Sequence, residues 1–204
     1  MPSATRLWLG AHLRLVYLFL YLPIAVLMVL SFNRAGLPTV WSGFSFEWYG
    51  ALVDNKAILN AAANTLIVAV VSTLLATTLG ALLAVGMEYR RRGAGLEAVL
   101  FAPMIIPDIV LAIALLSFFT LLDFTLGLHS IILSHVVFNI AFVCAVVRTR
   151  LRNFDWAVFE ASVDLGASEA TTFRRIILPM IFPGVLAGAM LAFTLSVDEV
   201  VIAY

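Results

Sequence analysis

Three carboxylates stand where carboxylates are hard to keep. Asp108 falls in an apolar run over about residues 96–122, Asp198 and Glu199 fall in another that begins at Pro183, and neither run contains a lysine or arginine. Charged side chains at membrane depth are costly and face a bundle interior or an aqueous path. On continuous helices Asp108 is expected about eleven residues, or roughly 16 Å, into its run, near the midplane, and the pair roughly 22 Å beyond Pro183. Acids without bases describe a route for cations. Pro103 and Pro107 lie one turn apart beside Asp108. Pro107 cannot donate to the carbonyl of Pro103, nor Pro103 to that of Val99, so freed oxygens add acceptors on the same face. Such a set suits a chain bearing several ammonium groups. The plainer alternative is that these acids are neutral and hydrogen-bonded to neighbouring helices.

Other chemistry finds little footing. Lys56 is the only lysine and lies outside any GxxxxGK[ST] setting, so the chain has no phosphate loop for ATP. HExxH, CxxC and GxSxG are absent, and His12, His129 and His135 are scattered over different segments, which reads as structural or interfacial. No metal site, cofactor or catalytic residue is expected in this chain. Cys144 stands alone in an apolar run and reads as a small buried hydrophobe.

A second polar feature is an island between apolar runs, residues 159–184, holding Glu160, Asp164, Glu169, Arg174 and Arg175. It reads as two short helices and an elbow. Gly166 offers the left-handed conformation that ends the first, Ser168 caps the second, and the turn is expected to stop at Pro179 with the arginines in its last turn. Glu160 and Asp164 are like charges at i and i+4, a disfavoured pair that a positively charged partner would relieve. Ala161, Ser162 and Ala167 leave room for close approach.

The elements that must position these residues are membrane spans. The chain has 204 residues, 63% hydrophobic and 12% charged, with mean hydropathy +1.09. A soluble domain carries about twice that charge. Formal net charge is zero, so no basic field for nucleic acid exists. The expected fold is an all-α polytopic transmembrane bundle with five spans, over about residues 13–32, 61–87, 96–122, 130–147 and from 183. The first reads as an uncleaved span rather than a signal peptide, since no small-x-small site follows. Residues 33–60, with Trp41, Trp48 and Tyr49, read as an interfacial connection holding a short surface element. Ser72, Ala76, Gly80 and Ala84 form a small stripe in the second span, and Gly184, Gly188, Ala192 and Ser196 another in the fifth. Ten of the twelve basic residues fall on one side: Arg6, Arg14, Arg90–Arg92, Arg148, Arg150, Arg152, Arg174 and Arg175. The positive-inside rule then makes the N-terminus and the polar island cytoplasmic.

The island also carries a resemblance. Glu160, Ala161 and Ser162, then Gly166 after three residues, then Ile176, Leu178 and Pro179 after nine more, resemble the EAA loop of binding-protein-dependent ABC importer permeases, with Ser162 replacing the second alanine. That resemblance implies a coupling helix docked on an ATP-hydrolysing subunit, with Glu160, Ala161, Asp164, Leu165, Gly166, Ala167 and Ser168 at the contact. ATP and Mg are then bound by that partner. It also implies a second permease subunit, expected to be a paralogue, two ATP-binding subunits and a periplasmic substrate-binding protein around a subunit bathed in lipid in the bacterial inner membrane. The family core resembles six spans, so a further helix beyond Tyr204 is expected. Residues 1–60 are then an N-terminal span and periplasmic connection, and 61–204 the permease core with a coupling loop over about 153–180. The run 191–201, LAFTLSVDEVV, is similar to a stretch of spermidine/putrescine importer permeases, as are Pro107–Val110, residues 48–55 and residues 164–168, with Glu199 where Asp is commoner. The resemblance implies that Asp108, Asp198 and Glu199 line a polyamine path. Importers of iron, thiamine or phosphonate, a proton-coupled cation transporter and an intramembrane enzyme are the alternatives.

Overall fold

With no water to satisfy them, backbone amides in lipid must pair within their own segment, which dictates helices. The structure, a computed structural model, describes residues 3–36, 40–90 and 94–202. Its helices are α1 (Ser3–Leu30), α2 (Glu47–Asp54), α3 (Lys56–Arg90), α4 (Ala94–Ile105), α5 (Asp108–Leu121), α6 (Leu128–Leu151), α7 (Trp156–Asp164), α8 (Glu169–Thr172) and α9 (Leu178–Asp198). Four helical stretches are long and apolar enough to cross a membrane, and the bent α4–α5 pair makes five if it is counted as one broken span. The described residues are thus all-α, with four to five candidate spans as expected. The chain divides into two compact units at Ala61.

In the first unit, α1 presents its apolar side chains outward, Trp8 and Phe19 among them, as a lipid-facing helix does. The connection after it is ordered by its polar residues. Asn33 donates from Nδ2 to the carbonyl of Val40 and accepts from the Ser42 amide, while the Trp48 indole donates to the Asn33 carbonyl. Phe32, Phe44, Phe46 and Tyr49 stack around it. The expected surface element is α2.

The second unit is built on α6. Small residues on α3 and α9 let both helices close on it. A Cβ on Gly80 would stand 2.9 Å from the Val143 Cβ, and one on Gly188 would stand 3.3 Å from the Val143 Cγ1. Ser196 of α9 meets the His135 Nδ1 at 2.7 Å and the Ser72 hydroxyl at 3.0 Å. Gly184 approaches Val147. These five contacts fix the register: α3 runs parallel to α6 and α9 antiparallel. The seam thus stacks as Ser72–His135–Ser196, Ala76–Asn139–Ala192, Gly80–Val143–Gly188 and Ala84–Val147–Gly184. Ala76, Asn139, Val143, Val147 and Ala192 are wholly buried there, and both small stripes serve as expected. Cys144 is a buried free thiol in the same core.

Three expectations change. The third span is not continuous: α4 and α5 meet at 111°. A residue before proline avoids the helical region, and Pro107 cannot donate; Pro107 adopts an extended ψ of 136° and its carbonyl restarts the chain by accepting from Val110 and Leu111. The second helix of the elbow does not stop at Pro179. It runs through a π turn, Phe173–Ile177, straight into α9, so Glu169 to Asp198 is one rod. The Leu178 amide reaches back five residues to Phe173, and this wider turn makes room for the proline that follows. Arg174 and Arg175 therefore sit in the π turn near the start of the rod, not at the end of a helix. Finally, α3 begins at Lys56 rather than near Ala61 and runs past Met87. Arg91, Arg92 and Tyr204 lie outside the described residues.

Candidate coupling and cargo sites

The elbow is held by short-range chemistry that the sequence specifies. Asp155 caps α7 by accepting from the Ala157 amide at 3.0 Å. At its other end Gly166 takes φ +87°, its amide donates to the Val163 carbonyl, and the Ala167 amide donates to that of Ser162. That pair of bonds is the glycine-terminated helix stop. Ser168 then accepts from the Thr171 amide and opens α8. Both helix ends expected from the sequence are present.

Beneath the elbow, Tyr89, Phe154, Trp156 and Phe159 form an aromatic cluster, with the Tyr89 and Phe159 rings 5.2 Å apart. The Ser162 and Thr172 hydroxyls, 2.7 Å apart, tie α7 to α8. Ser162, the departure from the EAA pattern, thus has a structural use. The outward face is different. Glu160, Ala161, Asp164, Gly166 and Ser168 are exposed, Ala167 is half-buried, and Leu165 at the tip is 89% exposed. Glu160 and Asp164 form no ion pair among the described residues. An acidic knuckle with an apolar tip, rigid from below, can seat in a complementary cleft of another protein.

A neighbouring feature escaped the sequence reading. Arg148 on α6 donates from Nε to Glu88 and from an Nη to Glu97, both at 2.8 Å, and its guanidinium lies 5.9 Å from the Phe101 ring centre. The guanidinium is mostly buried, whereas Glu97 is the more exposed partner. One arginine thereby holds the ends of α3, α4 and α6 together. In the sequence Arg148 counts only toward the cytoplasmic charge excess. Glu88 and Glu97, acids inside that basic segment, were the signal.

The three acids are dispersed. Asp108 is the first residue of α5 and exposed, which suits the positive end of that helix. Asp198 closes α9, also exposed. Glu199 folds back to accept from the Val201 and Ile202 amides at 2.8 and 3.1 Å, so that Ile202 packs on Leu111 and Phe138. No hydrogen bond joins the three. A cavity of about 560 Å³ between α5, α6 and the 200–202 turn is lined by Ile109, Phe119, Ser130, Ser134 and Val200 among others, and by none of the acids. Asp108 belongs to a helix break, not to the midplane of a straight helix.

His135 is no isolated histidine. Buried, it shares a hydrogen bond with Ser196, two residues before Asp198. His129 bonds the Thr125 carbonyl and packs on Phe124.

Comparison with known proteins bears on this geometry. The family model for the inner membrane component of binding-protein-dependent transport systems matches residues 76–204. The spermidine/putrescine transport system permease protein PotC of Escherichia coli K12 is 45% identical over 199 residues, 97% of this chain and 75% of that protein. The putrescine transport system permease protein PotI of the same organism is 38% identical over 212 residues, spanning all of this chain and 75% of its own. Among solved structures, a bacterial ABC transporter involved in import of the acidic polysaccharide alginate aligns with TM-score 0.70 at 16% identity, over 95% of this chain and 75% of its own. That last likeness speaks for the fold alone.

Proposed function

The chain belongs to the family of binding-protein-dependent transport system inner membrane components, as a multi-pass permease subunit of an ABC importer, and from that premise we propose that it carries polyamines. The observation that carries the coupling half of this reading is the exposed knuckle of Glu160, Ala161, Asp164, Leu165, Gly166, Ala167 and Ser168, continuous through one rod with α9. A partner that hydrolyses ATP with Mg, closing on this knuckle, moves α9 against α6. The chain itself is non-catalytic in this reading. Two ATP-binding subunits, a paralogous second permease subunit and a periplasmic binding protein complete the complex. The N-terminus and the loop over about 153–180 face the cytoplasm, residues 1–60 form the first span and a periplasmic connection, and 61–204 form the core.

Cargo follows from two supports: likeness to permeases whose names include spermidine and putrescine, and three span-end acids without a nearby base. Because those acids share no cavity within one chain, the path is assembled against the second subunit. The test is uptake of labelled spermidine by the reconstituted complex, with and without ATP, competed by putrescine and by iron or thiamine. ATP-dependent uptake blocked only by putrescine is expected. Competition by iron or thiamine instead reassigns the cargo, and uptake that follows a proton gradient without ATP sinks the coupling.

A further inference from the structure

Of the four layers on the α3–α6–α9 seam, one is chemically out of place. Asn139, wholly buried, faces Ala76 and Ala192 in this register, and neither its Oδ1 nor its Nδ2 has a hydrogen-bond partner among the described residues. Two hydroxyls of α3, on Thr73 and Thr77, are in the same condition. They flank Ala76, at the level of Asn139. Helical hydroxyls in an apolar setting ordinarily bond the carbonyl four residues back. Thr78, Ser117, Thr120, Ser134, Thr149 and Thr194 all do so here. Thr73 and Thr77 do not, although both are β-branched residues well placed for it.

One layer away the polar groups meet one another, and only the His135 Nε2 is left without a partner among the described residues. Ser72, His135 and Ser196 share two hydrogen bonds and hold α3, α6 and α9 in their present setting. Thr73 and Thr77 each follow a seam residue by one position, about 100° around α3. Turning α3 by part of that angle brings both hydroxyls toward Asn139 and carries Ser72 away from Ser196. The two sets of bonds therefore exclude one another. The same turn moves Ala81 toward Val143, where a Cβ on Gly80 would stand only 2.9 Å from the Val143 Cβ, so α3 must draw back slightly from α6 as it turns.

We propose that Asn139 is a positioning residue of the transport step: it pairs with Thr73 and Thr77 in a second setting of α3, which alternates with the Ser72–His135–Ser196 setting seen here. The two layers are the detents of a two-position bearing. Because α9 is one rod with the elbow, a pull on the elbow withdraws Ser196 from Ser72 and frees α3 to turn. This mechanism rests on the reading that ATP hydrolysis by a partner drives the elbow.

The experiment uses the full reconstituted complex with Cys144→Ala. A cysteine pair, Thr77→Cys with Asn139→Cys, is oxidised in the nucleotide-free and the vanadate-trapped complex. At least a three-fold difference in cross-linking between those states is expected. Separately, Asn139→Leu, and the pair Thr73→Val with Thr77→Val, should each lower uptake about ten-fold without lowering Tm. Their combination should be no worse than either alone, and Thr73→Ser with Thr77→Ser should retain uptake. Equal cross-linking in both states, wild-type uptake in Asn139→Leu, or additive losses in the combination overturns the proposal. Should Asn139→Leu fail to fold, the valine pair and the cross-link decide alone. If wild-type uptake itself ignores ATP, the importer reading has failed, and the cross-link still reports separately on whether α3 turns.

Discussion

The elbow and the acid sites were equally visible as polar residues in an oily chain, yet they are built in opposite ways. The bonds that shape the elbow join residues close in sequence, Asp155 to Ala157, Ser162 to Thr172, Gly166 to Val163 and Ser168 to Thr171, with the long Tyr89–Glu169 contact of 3.4 Å as the exception. The acids instead stand at the ends of helices, two of them exposed, and only Glu199 is bonded, to its own backbone. A docking surface can be complete within one chain. On the function proposed above, the path stays unfinished until a second subunit supplies the facing wall.

That contrast can be broken at several points, and the largest effect is expected at the elbow. Gly166→Leu forces a branched side chain into φ +87°, a strain of about 1–2 kcal/mol concentrated where α7 turns into α8. Uptake should fall to background while the ATP-binding subunits still hydrolyse ATP; normal uptake in this variant removes the elbow from the mechanism. Next, Arg148→Ala leaves Glu88 and Glu97 without their cation. A loss of about 1–3 kcal/mol is expected, discounted because Glu97 is well exposed, and read as a lowered Tm in detergent. An unchanged Tm means that the clamp is decorative.

The acids should separate from each other. Asp198→Asn is expected to raise the KM for spermidine several-fold with Tm unmoved, because Asp198 has no bond to another described residue to lose. Glu199→Gln keeps an oxygen for the Val201 and Ile202 amides, so its smaller KM increase should come with unchanged Tm, whereas Glu199→Ala should lower Tm as well. Equal behaviour of Asp198→Asn and Glu199→Ala in both assays would erase the distinction drawn here. The smallest effect belongs to Ser162→Ala, which restores the motif's alanine at the expense of the Thr172 bond, about 1 kcal/mol or less.

Much of this was readable beforehand, and the reasons are physical. Apolar runs in lipid have one solution, so the spans and the small stripes followed from composition and spacing. Gly166 acts through its own backbone and Ser168 through a hydroxyl that accepts from an amide three residues on, which makes their roles local and legible. Pro107 was seen but judged too mild; two prolines a turn apart broke the span outright. Pro179 was judged too severe, since a π turn absorbed it. The Arg148 clamp and the layering on α6 depend on which helices meet and in what register; Glu88 and Glu97 hint at the clamp, but nothing local encodes its partners or the layering.

The π turn has a further consequence. One surplus residue in a helical turn rotates everything beyond it by about 100° about the axis. Phe173–Ile177 therefore sets the azimuth at which the knuckle leaves the membrane relative to the face α9 shows to α6. Deleting a single residue there would spare both ends of the rod and misalign them, like a key with sound teeth cut on the wrong side of its shaft.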